Sequence, residues 1–186
     1  MKILNKKGFT LIELLAVIVI LGVLLAIAVP AVTKYINSSK KSTFISNVKQ
    51  YADSARTEAL AGTYQFPVSN NHGTVISFKK IYPSLEKGGK TSSYDAEWDD
   101  TKSFVIIVNA GTSEAPTYEY YIAAVDKKGY GIGTLSGTTA IAAYIEYNEL
   151  KDANVVQLGD GGKTLPEANK TITIGTKTIT IDKVEN

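Results

Sequence analysis

The sequence predicts an α+β protein in which one long N-terminal helix packs its rear half on an antiparallel β-sheet head. Three patterns carry this reading. Residues 14–29 contain no charged or strongly polar side chain. Ile45, Val48, Ala52, Ala55 and Ala59 then recur at gaps of three and four, the stripe of a helix with one apolar face. Beyond Gly62 the apolar period shortens to two and turn residues multiply, as strands require.

Residues 1–8 form a basic leader containing Lys2, Lys6 and Lys7. The formal net charge of the chain is +2, and without this leader 17 basic side chains face 18 acidic ones. The positive excess is therefore a topological signal beside an apolar run, not a surface for nucleic acid, and no specific nucleic-acid partner is expected. The 21 residues from 9 to 29 rise roughly 31 Å as a helix at ~1.5 Å each, about the thickness of bilayer hydrocarbon. The lysines would keep the N-terminal end cytoplasmic and place the residues beyond Pro30 outside.

Residues 9–30 are thus a transmembrane half of the helix, to which the resemblance given below adds an assembly role, and residues 31–61 an amphipathic half that packs on the head. Lys40, Lys41, Lys49, Asp53 and Arg56 lie off the apolar stripe, and Gly62 is placed to cap the C-terminus. Two residues weaken the front half. Pro30 lacks an amide and crowds the carbonyl of Ala26; Gly22 costs about 1 kcal/mol relative to alanine.

Glu13 is the anomaly, a lone acid in the apolar segment. It closes a T-x-x-E capping box with Thr10, in which each side chain satisfies the other's backbone amide. An ionised carboxylate within a bilayer costs ~2.5–3.5 kcal/mol on insertion scales, so a partner is expected for it.

Residues 62–186 form a β-rich head. Strands are expected at residues 75–81, 103–109, 118–125 and 131–135. Residues 171–181 alternate threonine and isoleucine on either side of a three-residue turn, a hairpin whose register is set because a one-residue slip exposes all four isoleucines. Residues 140–150 fit either a short helix or a strand. Loops at 86–101 and 159–169, rich in glycine and charge, read as surface insertions.

Several chemistries are excluded by composition. With no cysteine there is no disulfide, thiolate metal site or cysteine nucleophile, and a single histidine, His72, cannot make a two-histidine site. His72 follows Asn70-Asn71 and precedes Gly73, a turn composition. Asp95, Glu97, Asp99 and Asp100 are dense but lack the ordered spacing of a calcium loop. No catalytic residue, metal or cofactor is expected. Asn37 and Asn169 fit the N-glycosylation pattern, which is frequent by chance. Residues 165–169 read LPEAN, but no apolar tail comes after them as a sorting signal needs. The 11 tyrosines suit strand packing.

An export signal cleaved after Ala28 would release a secreted binding protein or enzyme. Ala26-Ile27-Ala28 fits such a site. Glu13, the length of the apolar run and the uninterrupted helical pattern beyond it argue against this.

The string KKGFTLIELL at residues 6–15 resembles the processing site of bacterial type IV prepilins and pseudopilins. The resemblance implies a prepilin peptidase and methyltransferase that cuts between Gly8 and Phe9, methylates Phe9 and leaves 178 residues. It implies the pilin fold. It makes Phe9, Thr10 and Glu13 the assembly residues, with Glu13 neutralising the amine of a neighbouring subunit in a homo-oligomeric helical filament. Gly22 and Pro30 then mark the stretch that is helical in the free subunit and partly unwound in the filament.

The family further implies membrane lipid as the partner before assembly, then an assembly ATPase and an inner-membrane platform protein. The product would be an extracellular pilus on the bacterial surface, serving adhesion or motility. The alternative within the family is a pseudopilin of a type II secretion or DNA-uptake apparatus. Many family members pin the C-terminal region with a disulfide. This chain departs from that pattern, and its C-terminal hairpin is the element that could replace the bridge.

Overall fold

A computed structural model of the chain describes residues 8–85 and 89–186. Lys2, Lys6 and Lys7 of the leader, and the first positions of the expected 86–101 loop, lie outside those residues. The described chain divides into two units, the first ending at Ser39 and the second spanning Lys40–Asn186.

Helix α1 runs Leu11–Leu60 and contains Pro30. Within the second unit its apolar stripe is covered: Phe44, Ile45, Val48, Tyr51, Ala52, Ala55 and Ala59 are all buried. The alanines admit the sheet closely while Phe44 and Tyr51 fill the space between them. Gly62 ends the helix at φ 83°. Its amide donates to Ala59 O at 3.0 Å and the Thr63 amide to Glu58 O at 2.9 Å, so two carbonyls orphaned by the helix end regain donors.

Strand β1 is His72–Ser77. It is earlier and shorter than expected because Ser77 stops it. The Ser77 hydroxyl accepts from the Lys80 amide and starts a one-turn helix, α2, Phe78–Ile81, which turns Phe78 and Ile81 into the core. Strands β2 (Phe104–Asn109), β3 (Tyr118–Ala123), β4 (Tyr130–Ser136), β5 (Thr139–Ala142), β6 (Ile145–Glu146), β7 (Val155–Gln157), β8 (Thr171–Ile174) and β9 (Lys177–Glu185) complete the head. Residues 140–150, ambiguous in sequence, divide into the end of β5, β6, and a 3-10 turn at Tyr147–Glu149.

Six strands form one sheet in the order β6-β3-β2-β1-β9-β8, and β5-β4-β7 form a second. Strand β2 is buried along its whole length. Its Val105 and Ile107 join a core with Phe44, Val48 and Tyr51 of α1. Phe104, Ile106 and Val108 join a second cluster that contains no helix residue. A continuous apolar run is what a strand covered on both faces demands.

The C-terminal hairpin supplies that second cover. Ile174, Ile179 and Ile181 are buried with Phe104 and Ile106, while Ile172 is partly buried. The turn holds two residues, Gly175 and Thr176, not three, with Gly175 at φ 60° as a tight hairpin requires. β9 runs on to Glu185 and pairs in parallel with β1, so the sheet is antiparallel except for this one pair. His72 is the first residue of β1, not a turn residue, and its Nδ1 lies 2.6 Å from Asp182 Oδ1 on β9.

The expected surface insertion at 86–101 is in part core. Tyr94 and Trp98 are buried. Trp98 packs edge-on to Phe44 at 5.0 Å between ring centres, and Tyr94 stacks on Tyr130 at 3.7 Å. The charged residues of the segment concealed two aromatic anchors.

Candidate functional site: the exposed front of the first helix

The N-terminal box forms as expected. The Thr10 amide and hydroxyl both donate to Glu13 Oε2 at 2.8 Å, and the Glu13 amide donates back to Thr10 Oγ1 at 3.3 Å. The Leu14 amide reaches Thr10 O at 3.2 Å, which closes the first turn. Four orphaned amides begin every helix, and here local side chains and backbone take up part of that need. Among the described residues no donor reaches Glu13 Oε1, so half of the carboxylate remains available.

Phe9 is 88% exposed and Leu11 87%. Every large apolar side chain from residue 11 to 36 is likewise exposed. The apolar stretch is long enough and greasy enough to cross a membrane, and no part of it is buried within the chain. In water such a surface is unfavourable by roughly 25 cal/mol for each Å² left uncovered, so lipid or other protein has to cover it.

Two glycines gain meaning from what surrounds them. A Cβ added to Gly8 would meet nothing within 4 Å, and the same holds for Gly22 apart from the helix's own backbone. Among the described residues, packing requires neither glycine. Pro30 lies inside α1 and leaves Ala26 O without its usual donor. Close by, Thr33 Oγ1 donates to Val29 O at 2.9 Å.

The structure separates the remaining candidates. Glu97 pairs with Lys127 Nζ at 2.5 Å, and Asp99 takes Thr101 and Lys102. Among the described residues no group of three or more acidic or histidine side chains could hold a metal ion. The hydrogen bond from Lys127 and its charge hold the Glu97 carboxyl below the usual range. Sequence reading missed the pairs His72–Asp182 and Lys177–Glu119. Each joins residues far apart in the chain, and neither has a local signal.

Residues 3–29 match the prokaryotic N-terminal methylation motif. The chain is similar to the type IV major fimbrial protein FimA of Dichelobacter nodosus, 31% identical over 84% of each chain. It is similar to a fimbrial protein of Pseudomonas aeruginosa, 24% identical over 68% of this chain and 82% of that one. The type IV major alpha-pilin of Moraxella bovis is 29% identical over 72% of this chain and 68% of its own length. No solved structure matches the chain significantly.

Proposed function

The chain belongs to the type IV fimbrial protein, or pilin, family, and from that premise we propose that it is a structural subunit of a type IV pilus. The observation that carries the reading is an apolar helix surface left wholly uncovered, with one half-capped carboxylate near its start. Assembly uses both features.

In the proposed cycle the subunit first spans the membrane with residues 9–30, its N-terminus cytoplasmic and residues 31–186 outside. A prepilin peptidase cuts between Gly8 and Phe9, and Phe9 is methylated. The new cationic amine stands one helical turn before Glu13. Both charges are costly in lipid when alone, and pairing offsets part of that cost and makes an unpaired arrangement unfavourable. Glu13 therefore sets the stagger at which a subunit enters the bundle, offering its carboxylate to the amine of the neighbour. An assembly ATPase and a membrane platform supply the extraction, and Gly22 and Pro30 let the intervening helix unwind.

Mass spectrometry of the N-terminus in purified filaments tests this. A methylated Phe9 is expected. A mature chain beginning at Val29, or one retaining its first eight residues inside a finished fibre, would overturn the reading. The second reading, a pseudopilin, predicts short periplasm-like stubs where a pilin gives long surface filaments, and the three relatives are named as two fimbrial proteins and an alpha-pilin.

A further inference from the structure

Past Pro30 the first unit holds a short exposed patch that neither the capping box nor the apolar span uses. Val32, Tyr35 and Ile36 are 54%, 75% and 47% exposed. At spacings of three and four they continue, on one helix face, the line of Val29. Lys34 is exposed next to Tyr35 in sequence, about 100° round the helix from it and on the other side from Val32 and Ile36. No acidic residue occurs between Glu13 and Asp53. Tyr35 is the anomaly: a large ring in a polar stretch, contributing to no core and left open.

Its position along α1 gives it a use. From Phe9 to Tyr35 the helix rises roughly 39 Å at ~1.5 Å per residue, and the hydrocarbon layer occupies only about 30 Å of that. Lys34 and Tyr35 therefore fall roughly 8–9 Å beyond Val29, at the level of headgroups, when the apolar span fills the bilayer. Helix side chains lean toward the N-terminus, so the Tyr35 ring tilts back to the glycerol region. A tyrosine there keeps its ring in the apolar boundary and its hydroxyl wet, and a lysine can extend its ammonium to a phosphate.

We propose that Lys34 and Tyr35 form a docking point for an anionic phospholipid headgroup on the outer side of the membrane, which fixes the depth of the unassembled subunit. This rests on the membrane-spanning role proposed for residues 9–30. Charge complementarity selects the occupant: a cation with no neighbouring acid in its stretch of sequence attracts an anionic lipid surface. Continuity with the span selects its place. Extraction into a filament strips this contact, so the pair also opposes premature release.

The chain has no cysteine, so one introduced cysteine gives a unique label. Full-length Asn37→Cys protein carrying a nitroxide, reconstituted in phosphatidylglycerol or in phosphatidylcholine vesicles, is read for accessibility to a water-soluble relaxation agent. Lower accessibility in phosphatidylglycerol is expected, reversed by high salt and abolished by adding K34Q and Y35A. Equal accessibility in the two lipids, or no effect of the paired substitutions, overturns the proposal. Accessibility that tracks protein-to-lipid ratio in place of lipid charge also overturns it, because a second copy of the chain is then the occupant. A companion label at Leu21→Cys keeps the two readings apart. If Leu21 is open to water the spanning reading fails; if it is protected while Asn37 ignores lipid charge, only the docking point fails.

Discussion

Lys177 Nζ lies 2.8 and 2.7 Å from the two carboxylate oxygens of Glu119, joining the start of β9 to β3 across 58 positions of sequence. Tyr121 Oη donates to the same carboxylate at 2.7 Å. The lysine hydrogen bonds hold the Glu119 carboxyl below the usual range; partial burial opposes them, and the tyrosine and the lysine charge add to the lowering. In a chain without disulfides, this charged tie helps seat the C-terminal hairpin over the second apolar cluster.

The tie gives an acid dependence of defined sign. Glu119 ionises more readily folded than unfolded, so its stabilisation is complete above the unfolded value of about 4.3 and is lost as pH falls through the lower folded value. Lys177→Met should therefore flatten the acid limb of the urea midpoint against pH, measured on the detergent-solubilised full chain. An acid limb as steep as that of the parent would show that Glu119 is not its source. Lys127→Met, which frees the exposed Glu97, should leave the midpoint at neutral pH nearly unchanged.

Tyr51 of α1 stacks on Phe78 with ring centres 3.8 Å apart and planes within 4°. Both rings are buried. Phe78→Ala opens a cavity beside Tyr51 and Trp98 and should cost about 3–5 kcal/mol. Equilibrium urea unfolding monitored by Trp98 fluorescence measures it, since Trp98 lies 5.3 Å from Phe78. A loss under about 1 kcal/mol would mean the site collapses or that the stack carries little weight.

Strand β4 passes its neighbours with no room to spare. A Cβ on Gly133 would lie 2.4 Å from Ile141 O, and one on Gly131 2.6 Å from Ala124 O. Those obstacles are backbone, so the strand itself has to move. Gly133→Ala should cost about 1–3 kcal/mol by overpacking, seen as a lowered urea midpoint. By contrast Gly8→Ala meets nothing and should leave that midpoint unchanged while slowing leader removal. Unaltered processing of a bulky Gly8 variant, monitored on gels, contradicts the proposed cleavage site.

Glu13→Gln keeps the shape of the box and removes the charge. It should be inserted and cleaved normally yet yield few filaments, counted by electron microscopy of sheared surface material. Thr10→Val loses the cap alone, about 1 kcal/mol of helix start, and should reduce assembly far less. Filament yields that fall equally in both variants would show that the helix start matters and that the charge does not.

Short-range features were legible in the residues alone. The capping box of Thr10 and Glu13, the stripe from Ile45 to Ala59, the Gly62 cap and the Thr/Ile hairpin are each written within a few residues, because helix and hairpin geometry bring near neighbours together. Tertiary structure decided what local pattern cannot reach. It set β9 parallel to β1, paired His72 with Asp182 and Lys177 with Glu119, and drew Tyr94 and Trp98 inward from a segment that reads as charged loop. Those contacts join positions tens of residues apart, so their partners depend on how the whole head packs and not on local pattern.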